Sequence, residues 1–169
     1  MREEEKLARD VYAALYEQWG IRIFDNISRS EESHMESVKL LLDRYGIDDP
    51  VGRDREGVFE NPDLQKLYDD LVKKGNASLE AAFAVGAEVE ELDIADLQRL
   101  ISGTDNDDLK VVYLNLEKGS RNHLRSFYRQ LEREGTDYTP VHISPAEFGS
   151  IVKSTHETKG AITDPDYKF

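Results

Sequence analysis

Apolar residues in this chain recur every three or four positions through long runs, glycine stops most runs, and no stretch alternates with the period of a strand. That periodicity restricts the chain to helices packed on helices. Leu7, Val11, Leu15 and Trp19 mark one buried stripe in a first helix from about Arg2 to Trp19, which Gly20 breaks. Ile21 to Asp25 reads as a short connection. A second helix is expected from about Asn26 to Tyr45, with Ile27, Val38 and Leu41 inward and Gly46 as its stop. Residues 47–61 read as irregular, interrupted by Pro50, Gly52 and Gly57. Asn61-Pro62 opens a short helix with Leu64, Leu67, Tyr68 and Leu71 on its apolar side and Gly75-Asn76 at its end. Ser78 caps a third long helix, about Leu79 to Ile101, closed by Gly103. Thr104 or Asp105 caps the fourth, which runs to about Glu134. Ser144-Pro145 starts one more short helix through Val152, and the last dozen residues are expected to fray. The predicted architecture is all-α, a four-helix bundle with a short accessory helix between the second and third long helices. The expected division is a bundle over residues 1–137 and a C-terminal extension over 138–169.

Charge and residue usage exclude several functions. With 35 acidic against 22 basic residues the formal charge is -13. Such a chain repels phosphate backbones, so no nucleic-acid partner is expected. The absence of Cys excludes disulfides, zinc-thiolate sites, iron–sulfur clusters and thiol nucleophiles. No apolar run approaches the roughly 20 residues that cross a bilayer, so no membrane partner is expected. Met1-Arg2-Glu3-Glu4-Glu5 does not read as a signal peptide, and a cytoplasmic location is the expectation.

Chemistry is sought where polar residues fall on apolar faces. Each helical residue turns about 100°. In the second helix Ile27, Glu31, His34, Val38 and Leu41 form one face, so Glu31 and His34 point inward. Phe83, Gly86, Glu90, Ile94, Leu97 and Ile101 carry Glu90 inward on the third, and Tyr113, Leu116, Ser120, His123 and Phe127 carry His123 inward on the fourth. Glu5 lies near the inner stripe of the first. Isolated buried carboxylates cost several kcal/mol unless paired or coordinated. Three carboxylates and two imidazoles from four helices therefore point to a shared cation. Oxygen and nitrogen donors without thiolate suit iron, manganese or zinc, and residues three apart in Glu31-x-x-His34 share one helix face and can meet one ion. The bland readings are a solvated acidic first turn for Glu5, with its neighbours Glu3 and Glu4, and a hydrogen-bonded core residue for each His.

These residues resemble the ferritin-like di-iron carboxylate superfamily, in particular its rubrerythrin-like branch. Glu5, with Ala8 three on and Tyr12 seven on, is similar to that branch's first-helix pattern. Phe24, Ile27 and Glu31-x-x-His34 are similar to its second. Glu90 after Gly86 and His123 within Gly119-Ser120-Arg121-Asn122-His123 supply the third and fourth. More closely, the chain looks like a ferritin-like family of unknown function with segments similar to Val85–Ile94 and Gly119–Leu124. The resemblance covers roughly residues 3–135. It implies a ferritin-like fold and a metal site of Glu5, Glu31, His34, Glu90 and His123. One or two ions, iron or else manganese or zinc, would be held there. It also implies reactivity with oxygen or peroxide as an oxidoreductase. One departure stands out. The superfamily's fourth helix offers Glu-x-x-His, and here Ser120 stands three before His123, with Glu117 or Glu91 as substitutes. The chain also lacks the Cys-rich module of rubrerythrins, so an electron donor would be separate.

Two further readings remain open. A non-catalytic interaction module would keep these groups as a hydrogen-bonded network without metal. An iron store would need a cage, although a homodimer is the assembly expected. Tyr12, Tyr16 and Tyr128 are candidate hydrogen-bond partners of the site, or else ordinary core tyrosines. His142 and His156, in the tail, are expected to face solvent.

Overall fold

The computed structural model describes residues 1–158. The expectation for the last dozen residues falls almost entirely outside them. Among the described residues the chain is all-helical, with six helices and no strand. These are α1 (Arg2–Trp19), α2 (Arg22–Tyr45), α3 (Pro62–Gly75), α4 (Leu79–Gly103), α5 (Asp107–Glu134) and α6 (Pro145–Lys153).

The helix ends follow the side chains that satisfy them. Asn61, Ser78 and Ser144 accept from the backbone N–H groups of Asp63, Ala81 and Glu147. Two boundaries differ from the sequence reading. Gly20, at φ 65, turns the chain out of α1, and a single extended residue, Ile21, leads into α2. The supposed connection Ile21–Asp25 is therefore mostly helix, and Phe24 within it is fully buried. Asn106, and not Thr104 or Asp105, caps α5 by accepting from Leu109 N–H.

Side-chain partners fix the directions of the four long helices. Glu5 meets His34 and the Arg9 carbonyl accepts from Ser28, so α1 and α2 are antiparallel. Ser30 meets His123 while His34 lies against Gly119, so α2 and α5 are antiparallel. Gly86 meets Phe127 and Gln98 meets Glu117, so α4 and α5 are antiparallel. It follows that α1 opposes α4. The helix α3 packs on α1 and α4, and α6 packs on α5.

The apolar interior is split. The larger cluster gathers Leu7, Val11, Leu15, Phe24, Phe83 and Phe127 among others. The smaller one holds Val38, Leu41, Leu97, Val112 and Leu116. Along α2, Glu31 and His34 separate Ile27 of the larger cluster from Val38 of the smaller. Along α5, Ser120 and His123 separate Leu124 from Leu116. A polar layer thus crosses the core.

Two other charged sets tie the irregular segments down. Lys6 Nζ, almost fully buried, donates to Asp10 and to the Arg55 carbonyl (2.9 Å) and sits 4.0 Å over the Phe59 ring. Asp10 also accepts from Gly57 N–H. Residues 47–61 are irregular, as expected, but anchored. At the other end the Arg125 guanidinium donates to the Ile151 carbonyl, Ser154, Asn122 and Glu157, and Arg121 grips the same Glu157.

Gly86 lets α4 approach α5 closely, since a Cβ there would stand 2.6 Å from the Phe127 ring. Gly86→Ala should destabilise the fold by about 1–3 kcal/mol despite alanine's better helix propensity, as measured by urea unfolding. Hydrogen bonds from Arg121 and then Arg125 hold the Glu157 carboxyl down to about 2, against an ordinary value of 4.5. A depressed carboxyl stabilises above its ordinary value, and the effect disappears as pH falls from 4.5 towards 2. Hydrogen-exchange protection factors of the 154–158 amides, corrected for the intrinsic pH dependence, should therefore fall over that window, and Glu157→Gln should lower them already at pH 7.

Candidate metal centre

The polar layer is built from one position on each long helix and, on α2, the residue one turn beyond it. Glu5, Glu31 and Glu90 are fully buried, and His34 and His123 are largely so. All five residues singled out in the sequence are brought together. Glu31 lies between the rings: its Oε2 is 2.6 Å from His34 Nδ1 and its Oε1 is 2.7 Å from His123 Nδ1. His34 Nδ1 is also 3.2 Å from Glu5 Oε2, and His123 Nδ1 is 3.5 Å from Glu90 Oε1. The rings stack with centroids 5.6 Å apart. Tyr12, fully buried, donates to Glu90 Oε1 at 2.6 Å and approaches the Gly86 carbonyl. Ser30 Oγ lies 3.1 Å from His123 Nε2.

Close approach and hydrogen bonding part company here. Glu31 Oε1 and His123 Nδ1 stand 2.7 Å apart, yet off the N–H direction, and neither atom has a hydrogen-bond partner. Glu5 Oε1 and Glu90 Oε2 are buried and unpartnered as well. Buried polar atoms are nearly always satisfied, so such a concentration of orphans needs a cause. Two groups, Glu5–Glu31–His34 and Glu31–Glu90–His123, each offer three ligand atoms within 4.8 Å of one another. Ligands about 2.0–2.2 Å from one ion stand at most about 4.4 Å apart, so each group is within a small contraction of holding a cation. These acidic and imidazole groups could hold a metal, with Glu31 common to both sets.

The titration of the layer reflects its crowding. Burial pushes Glu5 up to about 7, against the pull of His34. Burial also raises Glu90 and the Tyr12 hydroxyl, the latter well above its ordinary value. It would depress both imidazoles, but Glu31 outweighs it, carrying His34 well above the ordinary range and His123 to about 10. For Glu31 burial acts upward, and the two imidazoles overcome it and hold the carboxyl low.

The carboxylates offered as substitutes at the Ser120 position are engaged elsewhere. Glu91 Oε2 accepts from the Val141 and His142 amides, and Glu117 pairs with Arg121 and Gln98. Ser120 itself donates back to the Leu116 carbonyl. Tyr16 is exposed and Tyr128 packs edge-on against Phe148, so of the three tyrosines only Tyr12 reaches the layer. His142 and His156 are exposed, as expected. One buried carboxyl without a hydrogen-bond partner escaped the sequence reading: Asp93, one turn beyond Glu90, with an orphaned Oδ2. The i, i+3 spacing of Glu90-x-x-Asp93 is the signal that could have found it.

The layer opens to one side. A cavity of about 350 Å³ between α2 and α5 is lined by His34, Ser37, Val112, Asn115, Leu116, Lys118 and Gly119. A Cβ at Gly119 would stand 2.6 Å from His34 Cε1 and Nε2, so the ring fits only because that position has no side chain. Gly119→Ala should destabilise by about 1–3 kcal/mol. The clash is with the imidazole, so the double variant with His34→Ala should be more stable than additivity predicts, by about 0.5–3 kcal/mol in a urea-unfolding cycle.

Residues 1–155 match the family described as "Uncharacterized protein domain (DUF2202)". Over 157 residues the chain is 55% identical to the uncharacterized protein MJ0754 of Methanocaldococcus jannaschii, covering 93% of this chain and 85% of that protein. The crystal structure of hypothetical protein MJ0754 is similar throughout, with a TM-score of 0.91, 93% of this chain covered and 90% of that one.

Proposed function

For a chain that belongs to the DUF2202 family, we propose that the protein is a ferritin-like four-helix-bundle metal carboxylate protein. In it Glu5, Glu31, His34, Glu90 and His123 hold one or two iron ions, or else manganese or zinc. The observation that carries this reading is that buried carboxylate and imidazole groups converge in two sets sharing Glu31, while four of their atoms lack a hydrogen-bond partner. A hydrogen-bonded network without metal would leave few such orphans.

The donor set fits iron or manganese, which favour carboxylate and imidazole together, and zinc only less specifically. When bound, such an ion supplies Lewis acidity and, for iron or manganese, a change of oxidation state. The protein's own residues have defined parts in this. Glu31 bridges the two groups and orders both rings. Tyr12 fixes Glu90 through its hydroxyl, and Ser30 fixes His123 through Nε2. The cavity beside His34 admits a molecule of oxygen's or peroxide's size to that edge of the layer, while the apolar clusters on either side exclude bulk water. The proposed reaction class is oxidation by oxygen or peroxide.

Metal analysis of protein purified without chelators tests the reading. At least about one equivalent of transition metal, before or after adding iron or manganese, is expected, and His34→Ala should lower it sharply. Less than about 0.2 equivalents, unchanged by added metal, sinks it and leaves the non-catalytic module.

Protons compete for the same atoms. Glu5 is raised from 4.5 to about 7 and His123 from 6.5 to about 10. Groups raised on folding stabilise below their ordinary values, and that stability is lost as pH rises, here from 4.5 to 7 and from 6.5 to 10. Glu31, held low, acts in the opposite sense and only at acid pH. The melting temperature of chelated protein should thus fall by several degrees between about pH 5 and pH 10, and metal-loaded protein should hold its value.

A further inference from the structure

Asp93 is the buried carboxyl for which neither a hydrogen bond nor the five-residue site provides a use. It is 3% exposed, and its Oδ2 has no partner. Its place in the layer follows from helix registry. Tyr12 on α1 bonds the Gly86 carbonyl on α4, and the two helices are antiparallel. Two turns back from Tyr12 is Glu5, and two turns on from Gly86 is Asp93. Both steps advance about 10.5 Å, so Asp93 comes level with Glu5. The charge felt most strongly at Asp93 is that of Glu5, followed by Glu90 and Glu31.

The layer therefore has two levels. Tyr12, Glu90 and His123 stand at one, Glu5, His34 and Asp93 at the other, with Glu31 between them. On α5 the corresponding position is vacant of donors, because Ser120 turns its hydroxyl to the Leu116 carbonyl. Glu91 and Glu117 are engaged with backbone amides and with Arg121. Four carboxyls outnumber two imidazoles, so ionising all of them would leave negative charge that only a cation or protons can neutralise. Neither set of ligand atoms within 4.8 Å includes Asp93, so its side chain must turn toward Glu5 to share that ion.

We infer that Asp93 is a ligand of the ion held by Glu5, Glu31 and His34, supplying from α4 the carboxylate that α5 lacks at Ser120. The inference rests on the metal-binding reading above and gives that ion four protein ligands from three helices.

Asp93→Asn tests it, because the amide keeps the shape and removes the charge. Co(II) is the probe, titrated into chelated protein in competition with a coloured chelator, with the visible d–d bands as a second readout. Wild type is expected to bind Co(II) at one or two sites. Asp93→Asn should weaken one site by at least about tenfold and alter its d–d bands, while Ser120→Ala leaves both unchanged. A structural role would predict a less stable metal-free variant. A ligand role predicts the reverse, with metal-free Asp93→Asn melting no lower than wild type and the Co(II)-loaded variant melting lower. Wild-type affinity and bands in Asp93→Asn, or its unfolding without metal, overturn the inference and leave the metal reading standing. Failure of wild type to bind Co(II), iron or manganese overturns both.

Discussion

Four carboxyls and two imidazoles occupy the middle of this protein, where the dielectric is low and water is excluded. Removing such groups from water costs several kcal/mol each, and only mutual geometry returns it. Much of the remaining sequence can be read as meeting that constraint. Glu31 stands between two rings and must touch both, which sets the spacing of α2 and α5. Gly119 has no side chain so that the Cε1–Nε2 edge of one ring can meet α5, and Gly86 has none so that Phe127 can close the layer from below. Tyr12 spends its hydroxyl on Glu90 instead of water.

The contrast with the other buried charges is instructive. Lys6 and Asp10 neutralise each other, and their remaining valences go to the Arg55 carbonyl and the Gly57 amide. Most of the Arg125 guanidinium's donors are met by Ile151, Ser154, Asn122 and Glu157. Both sets are close to electrically and geometrically complete, and each anchors an irregular segment. The central layer is neither. It has an excess of acceptors, orphan atoms at its middle, and no segment to anchor. A structural explanation therefore serves for the two outer sets and fails for the inner one.

Much of this was legible in the chain because helical registry is local. Glu31, His34, Glu90 and His123 fall on apolar stripes, and 100° per residue is enough to turn them inward. Glu5 was harder, since a run of Glu at a helix start ordinarily faces water. What buries it is the packing of α2 against α1, which brings His34 to it and is a tertiary feature with no periodicity to read. The start of α2 was missed because one extended residue can reverse a chain, and a glycine stop followed by apolar residues looks the same whether the turn is short or long. Asp93 was missed for a different reason. Ile94 beside it fits the inner stripe, and the facing of α4 is ambiguous by one residue where both neighbouring positions are buried. Only the registry of α1 against α4 resolves it. The engagement of Glu91 with the Val141 and His142 amides depends on where residues 136–144 return, which spacing along α4 cannot reveal.

The two levels of the layer differ in a way that bears on reactivity. At the level of His123, Tyr12 bonds Glu90, Ser30 bonds the ring, and Phe127 with Phe24 and Phe83 packs beneath. The His123 side chain is about as exposed as that of His34, 12% against 13%, but it does not line the cavity. At the level of His34 one edge of the ring borders the cavity between α2 and α5, next to a glycine. A polar layer that borders this cavity through His34 and not through His123 is chemically asymmetric. On the proposed reading, Glu5, Glu31 and His34 would hold an ion at the level that borders the cavity, where it could meet small molecules. An additional carboxylate at the open level has a physical rationale, because a partly solvated ion loses ligands to water more readily than an enclosed one.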